Sequence, residues 1–308
     1  MDNPVSTLPV IQPDTSTSPT PVFEKVALVG LGLVGGSIAL ACREAWPKCL
    51  VIAVDDKVVL EQAMVRHAID IAADDPVVIA EADIVVLATP VRQNIALLSE
   101  IPDHIVGSAI VTDVSSTKRE IVAASKRLPD RLPFVGGHPL AGAPRGGFQH
   151  ARADLFRERP WLLTPLDDNN GETVLKLQKF VAGLGATPHV IPPDEHDRVL
   201  AFLSHLPQMT ASALMHVVGT SIGEEGLRLT GRGLADTTRL ASSPADIWRD
   251  IFATNADDVG GALDILIAEL RAMRLNLKQG DDIGRVFESA GEWREVLLAE
   301  HEAQKEKK

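Results

Sequence analysis

Between Val26 and Cys42 the chain runs for 17 residues without a charge. That approaches the roughly 20 residues needed to cross a bilayer. However, Gly30, Gly32, Gly35 and Gly36 cut the run into a short strand, a turn and the start of a helix. The hexapeptide Gly30-Leu31-Gly32-Leu33-Val34-Gly35 therefore reads as a strand–turn–helix junction. Glycines there let the chain turn tightly and bring backbone N–H groups against a pyrophosphate at a helix N-terminus. Asp55 lies 20 residues after Gly35, at the end of a second apolar run, Leu50–Val54. A carboxylate at that place binds ribose hydroxyls and repels a 2′-phosphate, so NAD is expected rather than NADP. The neighbouring Asp56-Lys57 leaves NADP open. The competing explanation is a glycine turn that has lost its ligand.

From Glu24 to about Ile191, β-rich runs alternate with helical stretches. Expected strands are Lys25–Val29, Leu50–Val54, Ile84–Ala88, Ala109–Thr112, Pro133–Gly136, Trp161–Thr164 and Thr187–Val190. The first four are continuously apolar, as strands covered on both faces are. Helical segments such as Leu60–Arg66, Asn94–Glu100 and Lys118–Arg127 separate them. This alternation predicts an α/β fold with a doubly wound, mostly parallel sheet. The less helical connections after Phe134 leave room for antiparallel strands later in it. After Pro192-Pro193 the β-rich runs stop. Helices are expected at Glu195–Met215 (capped by Asp194), Gly223–Arg239, Ile247–Gln279 and Asp282–Glu302. The expected division is a disordered tail over 1–22, a nucleotide-binding domain over 23–192, an all-helical domain over 193–303 and a short tail over 304–308.

A net charge of −12, from 30 basic and 42 acidic residues, argues against a nucleic-acid surface. It still permits an anionic small substrate in a locally positive cleft. The two cysteines, Cys42 and Cys49, form no disulfide framework and no metal spacing, which fits a cytoplasmic protein. Residues 1–22 hold five prolines but no basic or apolar region of the signal-peptide kind. No membrane partner is expected.

Polar segments fall at the C-terminal ends of expected strands: Thr89-Pro90, Asp113 to Lys118, and Gly137-His138-Pro139. In an open α/β sheet, ligands bind outside that edge. Thr89, Pro90 and Asp113 are accordingly expected beside the dinucleotide. His138 is held extended by the following proline and suits a general base, or else is a histidine satisfied by backbone carbonyls. Of Ser115, Ser116 and Thr117, at least one should cap the next helix and another face the crevice. Pro207, in Ser204-His205-Leu206-Pro207-Gln208, should kink its helix. Arg239 is a carboxylate clamp or a surface residue at a helix end. His196, His205 and His216 share no ligand spacing, so no metal site is expected. Trp161, Trp248 and Trp293 are expected in cores.

Six strings together carry a family resemblance: residues 29–37 around the glycines, ThrAspValSerSerThrLys (112–118), GlyGlyHisProLeuAlaGly (136–142), AspLeuPhe with TrpLeuLeuThrPro (154–156, 161–165), SerHisLeuPro (204–207) and AspThrThrArg (236–239). In this order and spacing, from about Val26 to about Asn255, they resemble the prephenate/arogenate dehydrogenase family of tyrosine biosynthesis. The resemblance implies a Rossmann-type domain followed by a helical dimerisation domain, hence a homodimer. It also implies an NAD-dependent oxidative decarboxylation. In it His138 occupies the catalytic histidine position and Ser116 that of a serine bonded to the substrate hydroxyl and to the histidine. Arg239 matches the arginine that holds a substrate carboxylate, and His205 lies in the substrate-side helix motif. Gln208 stands where many prephenate-preferring relatives carry a second histidine, and Pro144 where many carry an acidic residue. A regulatory domain is not expected; tyrosine, which resembles the product, could still inhibit at the active site. The competing readings are a β-hydroxyacid dehydrogenase or imine reductase, a group that usually places a catalytic Lys or Asp on the first interdomain helix, whereas the helix from Asp194 carries no Lys, and a non-catalytic dinucleotide-binding protein.

Overall fold

The structure, a computed structural model, describes residues 20–142, 145–166 and 171–306. Pro144 and residues 1–19 of the expected tail lie outside the described residues. The chain divides into two compact units, residues 1–196 with 243–254, and residues 197–242 with 255–308.

In the first unit, eight strands build one sheet in the order β3-β2-β1-β4-β5-β6-β7-β8. They are β1 (Lys25–Val29), β2 (Leu50–Val54), β3 (Ile71–Ala73), β4 (Ile84–Leu87), β5 (Ile110–Asp113), β6 (Phe134–Pro139), β7 (Pro160–Pro165) and β8 (Thr187–Val190). Strands β1 to β6 are parallel; β7 runs antiparallel to β6, and β8 parallel to β7. The chain winds outward from β1 to β3, returns, and continues from β4 on the other side. The turn after β1 thus sits where the winding reverses, the usual ligand position of such sheets.

Alternate residues of each strand feed two cores. Val26 and Leu28 of β1 join α1 (Leu33–Ala45) and α5 (Gly171–Gly183) on one face. Ala27 and Val29 join α3 (Val91–His104) and α4 (Arg119–Ser125) on the other. The period-2 geometry of a strand and helices on both sides require this partition. Each large apolar side chain fully buried here stabilises the fold by roughly 1.5–3 kcal/mol. Phe23, inside the span expected to begin the domain, is buried in the first core.

The uncharged run does break into β1, a turn and α1. No described helix is long and apolar enough to cross a membrane. Strand β3 was not expected. Its three residues, Ile71-Ala72-Ala73, are apolar, but the strand lies at the sheet edge with two of them exposed and is too short to stand out as a run. Strand β6 extends through Pro139 instead of ending at Gly136, because β7 supplies partners as far as Pro139↔Trp161.

Helices α6 (Pro193–Leu200), α7 (Leu206–Leu227), α8 (Arg232–Thr237), α9 (Ala245–Thr254), α10 (Ala256–Leu275) and α11 (Asp281–Glu306) complete the chain, with α9 belonging to the first unit. Asp194 does not cap α6. It lies inside the first turn, led by Pro193, and its Oδ1 accepts from Arg119 Nε at 2.8 Å. Residues Ala201–His205 form a π turn that widens the helix just ahead of Pro207, which then sits in the first turn of α7, where a missing N–H costs little. The expected helix over 223–239 is broken: Gly223 has φ +61°, and α7 and α8 are separate. The expected helix over 247–279 is broken at Asn255. Trp161 is buried, but Trp293 is 71% exposed and Trp248 half-buried.

Candidate active site

At the glycine turn, Gly30 takes φ +99° and its N–H donates to Val54 O at 2.9 Å, tying β1 to β2. A Cβ there would lie 2.7 Å from the Ala88 carbonyl carbon. At Gly35 a Cβ would come within 2.0 Å of Gly30 O, so helix and turn close only on glycine. Gly32 faces open space, with nothing within 4 Å of an added Cβ. Helix α1 has no side-chain cap and no acidic residue in its first turn. Its first N–H groups and positive dipole end are therefore available to an anion. Leu31 is buried in the core, and Leu33 and Val34 pack partly buried against it. Half-buried Asp55 ends β2 and folds back over the turn, where Oδ2 accepts from Leu31 N and Oδ1 from Asp56 N at 2.7 Å. Open space at Gly32 beside an uncapped helix end, with a carboxylate close by, fits a dinucleotide.

The next strand ends are tied by one side chain that the sequence reading passed over. Asn94 is fully buried. Its Oδ1 accepts from Thr89 N (3.1 Å) and Thr89 Oγ1 (2.5 Å), while Nδ2 donates to Leu87 O (3.2 Å) and Ser115 Oγ (2.9 Å). This fixes Thr89 beside exposed Pro90 and locks the end of β4 to the segment after β5. The expected hydroxyl cap on α4 is absent, because Ser115 is engaged by Asn94 and Thr117 by Thr254 at 2.8 Å. Ser116 is half-buried, with no side-chain hydrogen bond among the described residues.

Asp113, expected beside the dinucleotide, has both carboxylate oxygens engaged within the protein. The backbone ladder between β5 and β6 stops at Thr112↔Val135. Beyond it, side chains take over: Asp113 Oδ1 accepts from Gly137 N at 3.0 Å, and Lys118 Nζ donates to Gly137 O at 2.8 Å. Asp113 Oδ2 accepts from Ser115 N at 2.8 Å and from Lys118 Nζ. Both charged side chains are wholly buried, which is tolerable only because they are paired and further bonded. They grip both sides of the Gly137 residue and so fix the backbone that carries His138. A Cβ on Gly137 would lie 2.5 Å from Asp113 O, so this approach needs glycine as well.

His138 is 8% exposed, and its Nδ1 lies 2.9 Å from Nε2 of His196, which is 0% exposed. The rings are tilted by 57° with centroids 5.1 Å apart. His196 was not among the expected site residues: it lies 58 positions away in a polar stretch, and only the fold makes the pair. Burial pushes the Cys49 thiol up to about 11 and raises Cys42 well above its usual value, so neither thiol is a nucleophile at neutral pH. Among the described residues no group of three or more His, Cys, Asp or Glu could hold a metal.

In the second unit, Asn255 Nδ2 donates to Asp197 O at 2.9 Å and lies 3.2 Å from His205 Nδ1. An amide nitrogen only donates, so Nδ1 of buried His205 accepts and, in the neutral ring, the proton sits on Nε2. Gln208 Nε2 donates to Leu240 O at 2.9 Å and so joins α7 to the 3-10 turn Arg239–Ser242. Arg239 is exposed, and no carboxylate among the described residues pairs with its guanidinium.

Comparison with known proteins matches two family models in order. They are the prephenate dehydrogenase nucleotide-binding domain over residues 38–190 and the prephenate dehydrogenase dimerization domain over residues 192–288. The prephenate dehydrogenase of Bacillus subtilis is 36% identical over 284 residues, covering 89% of this chain and 76% of that protein. The cyclohexadienyl dehydrogenase of Zymomonas mobilis is 30% identical, covering 91% and 98%. A crystal structure of prephenate dehydrogenase from A. aeolicus in complex with hydroxyphenyl propionate and NAD+ gives a TM-score of 0.83 at 26% identity, covering 89% of this chain and 98% of that one. Synechocystis arogenate dehydrogenase gives 0.76 at 28% identity, covering 89% and 99%. The chain belongs to the prephenate dehydrogenase family.

Proposed function

We propose that this protein is an NAD-dependent dehydrogenase that oxidatively decarboxylates prephenate, arogenate or both, with His138 as the base. The residue assignment rests on the sheet. Strands β1, β4, β5 and β6 run parallel, so the glycine turn after β1 and His138 near the end of β6 lie at the same C-terminal edge.

Gly30 to Gly35 would receive the pyrophosphate, Asp55 the ribose hydroxyls, and Thr89 and Pro90 would border the dinucleotide. A bound NAD supplies a hydride acceptor. His138 takes the proton of the hydroxyl at ring C4 as that carbon gives up its hydrogen as hydride to that acceptor and becomes a carbonyl carbon. The bond from ring C1 to its carboxylate then breaks, its electron pair enters the ring, and CO2 leaves. The resulting phenolate takes back the proton, which returns the imidazole to neutrality. Aromatisation drives the step, so the protein contributes alignment and one proton acceptor. Ser116 orients the reacting hydroxyl. Arg239 holds a carboxylate as a fork of donors, with His205 alongside. Gln208, a neutral amide, tolerates both the keto group of prephenate and the amino group of arogenate. Tyrosine, close to the product in shape, would compete for this site. Two free, buried cysteines suit a reducing cytoplasm, and the exposed apolar residues of α11 suit a homodimer through the helical unit.

Initial rates of NADH and NADPH formation with both substrates test this reading. Turnover is expected with NAD and much weaker with NADP. No turnover of either substrate with either cofactor would overturn the activity, and equal use of both cofactors would overturn the role of Asp55. His138→Asn should lower kcat by about 10² or more; near-normal turnover would remove the base.

A further inference from the structure

We infer that His196 is the positioning residue of the site: a neutral imidazole that holds the His138 ring in one tautomer and orientation. The inference rests on His138 being the base. The distance between His138 Nδ1 and His196 Nε2, 2.9 Å, is that of a hydrogen bond, and a single proton lies between the two nitrogens. Two arrangements are possible, and they have opposite consequences. If His196 Nε2 donates, His138 Nδ1 accepts and the neutral His138 ring carries its proton on Nε2, where it cannot accept another. If His138 Nδ1 donates, Nε2 presents a lone pair and is the nitrogen that takes the substrate hydroxyl proton. Only the second arrangement makes a base, and it requires His196 to be neutral with its proton on Nδ1.

The same bond acts during turnover. As the hydroxyl O–H bond breaks and its proton moves to His138 Nε2, the ring becomes an imidazolium whose charge is shared with Nδ1–H. His196 Nε2 then accepts a charge-assisted hydrogen bond, which is stronger than the neutral one. The bond weakens again when the proton returns to the phenolate. His196 is 0% exposed and sits near the start of α6, whereas His138 is fixed through the Gly137 residue by Asp113 and Lys118. The base is thus located twice, its backbone by an ion pair and its ring by a second imidazole. A buried partner that sets a histidine's tautomer is worth about 10- to 100-fold in activity where such partners have been removed at metal sites.

Three full-length variants test this, each checked for thermal stability: His196→Leu, which removes the acceptor; His196→Gln, whose Oε1 can accept near the place of Nε2; and His138→Asn combined with His196→Leu. His196→Leu should lower kcat about 10- to 100-fold with KM for the substrate changed less than about 3-fold. His196→Gln should recover most of that loss. The double variant should be no slower than His138→Asn alone, since the partner acts only through the base. Imidazole ¹⁵N NMR of the protein without substrate gives a readout independent of turnover. His138 should be an Nδ1–H tautomer in the parent and in His196→Gln, and a mixture in His196→Leu. Equal losses in the Leu and Gln variants with a parallel fall in Tm, unchanged kcat in both, or an Nε2–H tautomer in the parent would each overturn the positioning role. Near-normal turnover of His138→Asn would instead remove the base assignment on which it rests.

Discussion

The two units satisfy their polar and apolar groups in different ways. Both extended apolar cores are drawn entirely from the first unit, and its buried charges, Asp113 and Lys118, bond to each other and to backbone. Among the described residues of the second unit, only Leu200, Ala201, Ala211, Val259 and Ala262 are buried hydrophobics. Helix α11 instead exposes Phe287, Trp293, Val296, Leu297 and Leu298. A sheet with helices on both faces closes its core within one chain, whereas helices that leave apolar side chains outward need another surface. The first unit thus fixes its polar groups by partners within its own fold, while the second leaves apolar surface on α11.

The largest effect expected from this contrast is on stability. Lys118→Met leaves the Asp113 carboxylate buried without its cation and should cost about 3–5 kcal/mol. The thermal unfolding midpoint reads that loss, and Asp113→Asn added to Lys118→Met should restore part of it. An unchanged midpoint would mean that the pair does not hold β6. A smaller effect is expected on assembly. Trp293→Glu should weaken a dimer by about 2 kcal/mol, roughly thirtyfold in its dissociation constant, while sparing the first unit's unfolding. Sedimentation over a concentration series would show it, and a parent protein that is monomeric throughout would end the dimer proposal. The smallest is on substrate binding. Arg239→Ala should raise KM about tenfold and leave Tm unchanged, because the guanidinium has no partner to lose among the described residues. A fall in Tm with KM unaltered would make Arg239 structural.

What the sequence made legible follows the same contrast. The apolar runs of β1, β2, β4 and β5, the glycine turn and the change to helices after Pro193 are local patterns, and each could be read from a few adjacent residues. Family membership was legible in six short strings, and it sets aside the β-hydroxyacid dehydrogenase and non-catalytic readings. Strand β3 was missed because three small apolar residues at a sheet edge make too short a run to stand out. The bonds of Asp113 to Gly137 and Lys118 were not legible, because a polar residue at a strand end looks the same whether it faces a ligand or replaces a missing rung. His196 was missed for a related reason. Nothing within ten residues of it distinguishes a surface histidine at a helix start from the partner of an imidazole 58 positions earlier. The π turn before Pro207 was half legible: the proline announced a disturbance, but not that one widened turn would absorb it.

The glycines of the nucleotide turn also differ in what keeps them. Replacing Gly30 or Gly35 would press a Cβ into backbone atoms, so a descendant with no use for a cofactor would still need both. Gly32 meets nothing, and alanine there would be harmless to an empty protein. Position 32 is thus a marker for sorting relatives: a side chain appearing there while 30 and 35 stay glycine would identify a lineage that has kept the architecture and abandoned the dinucleotide.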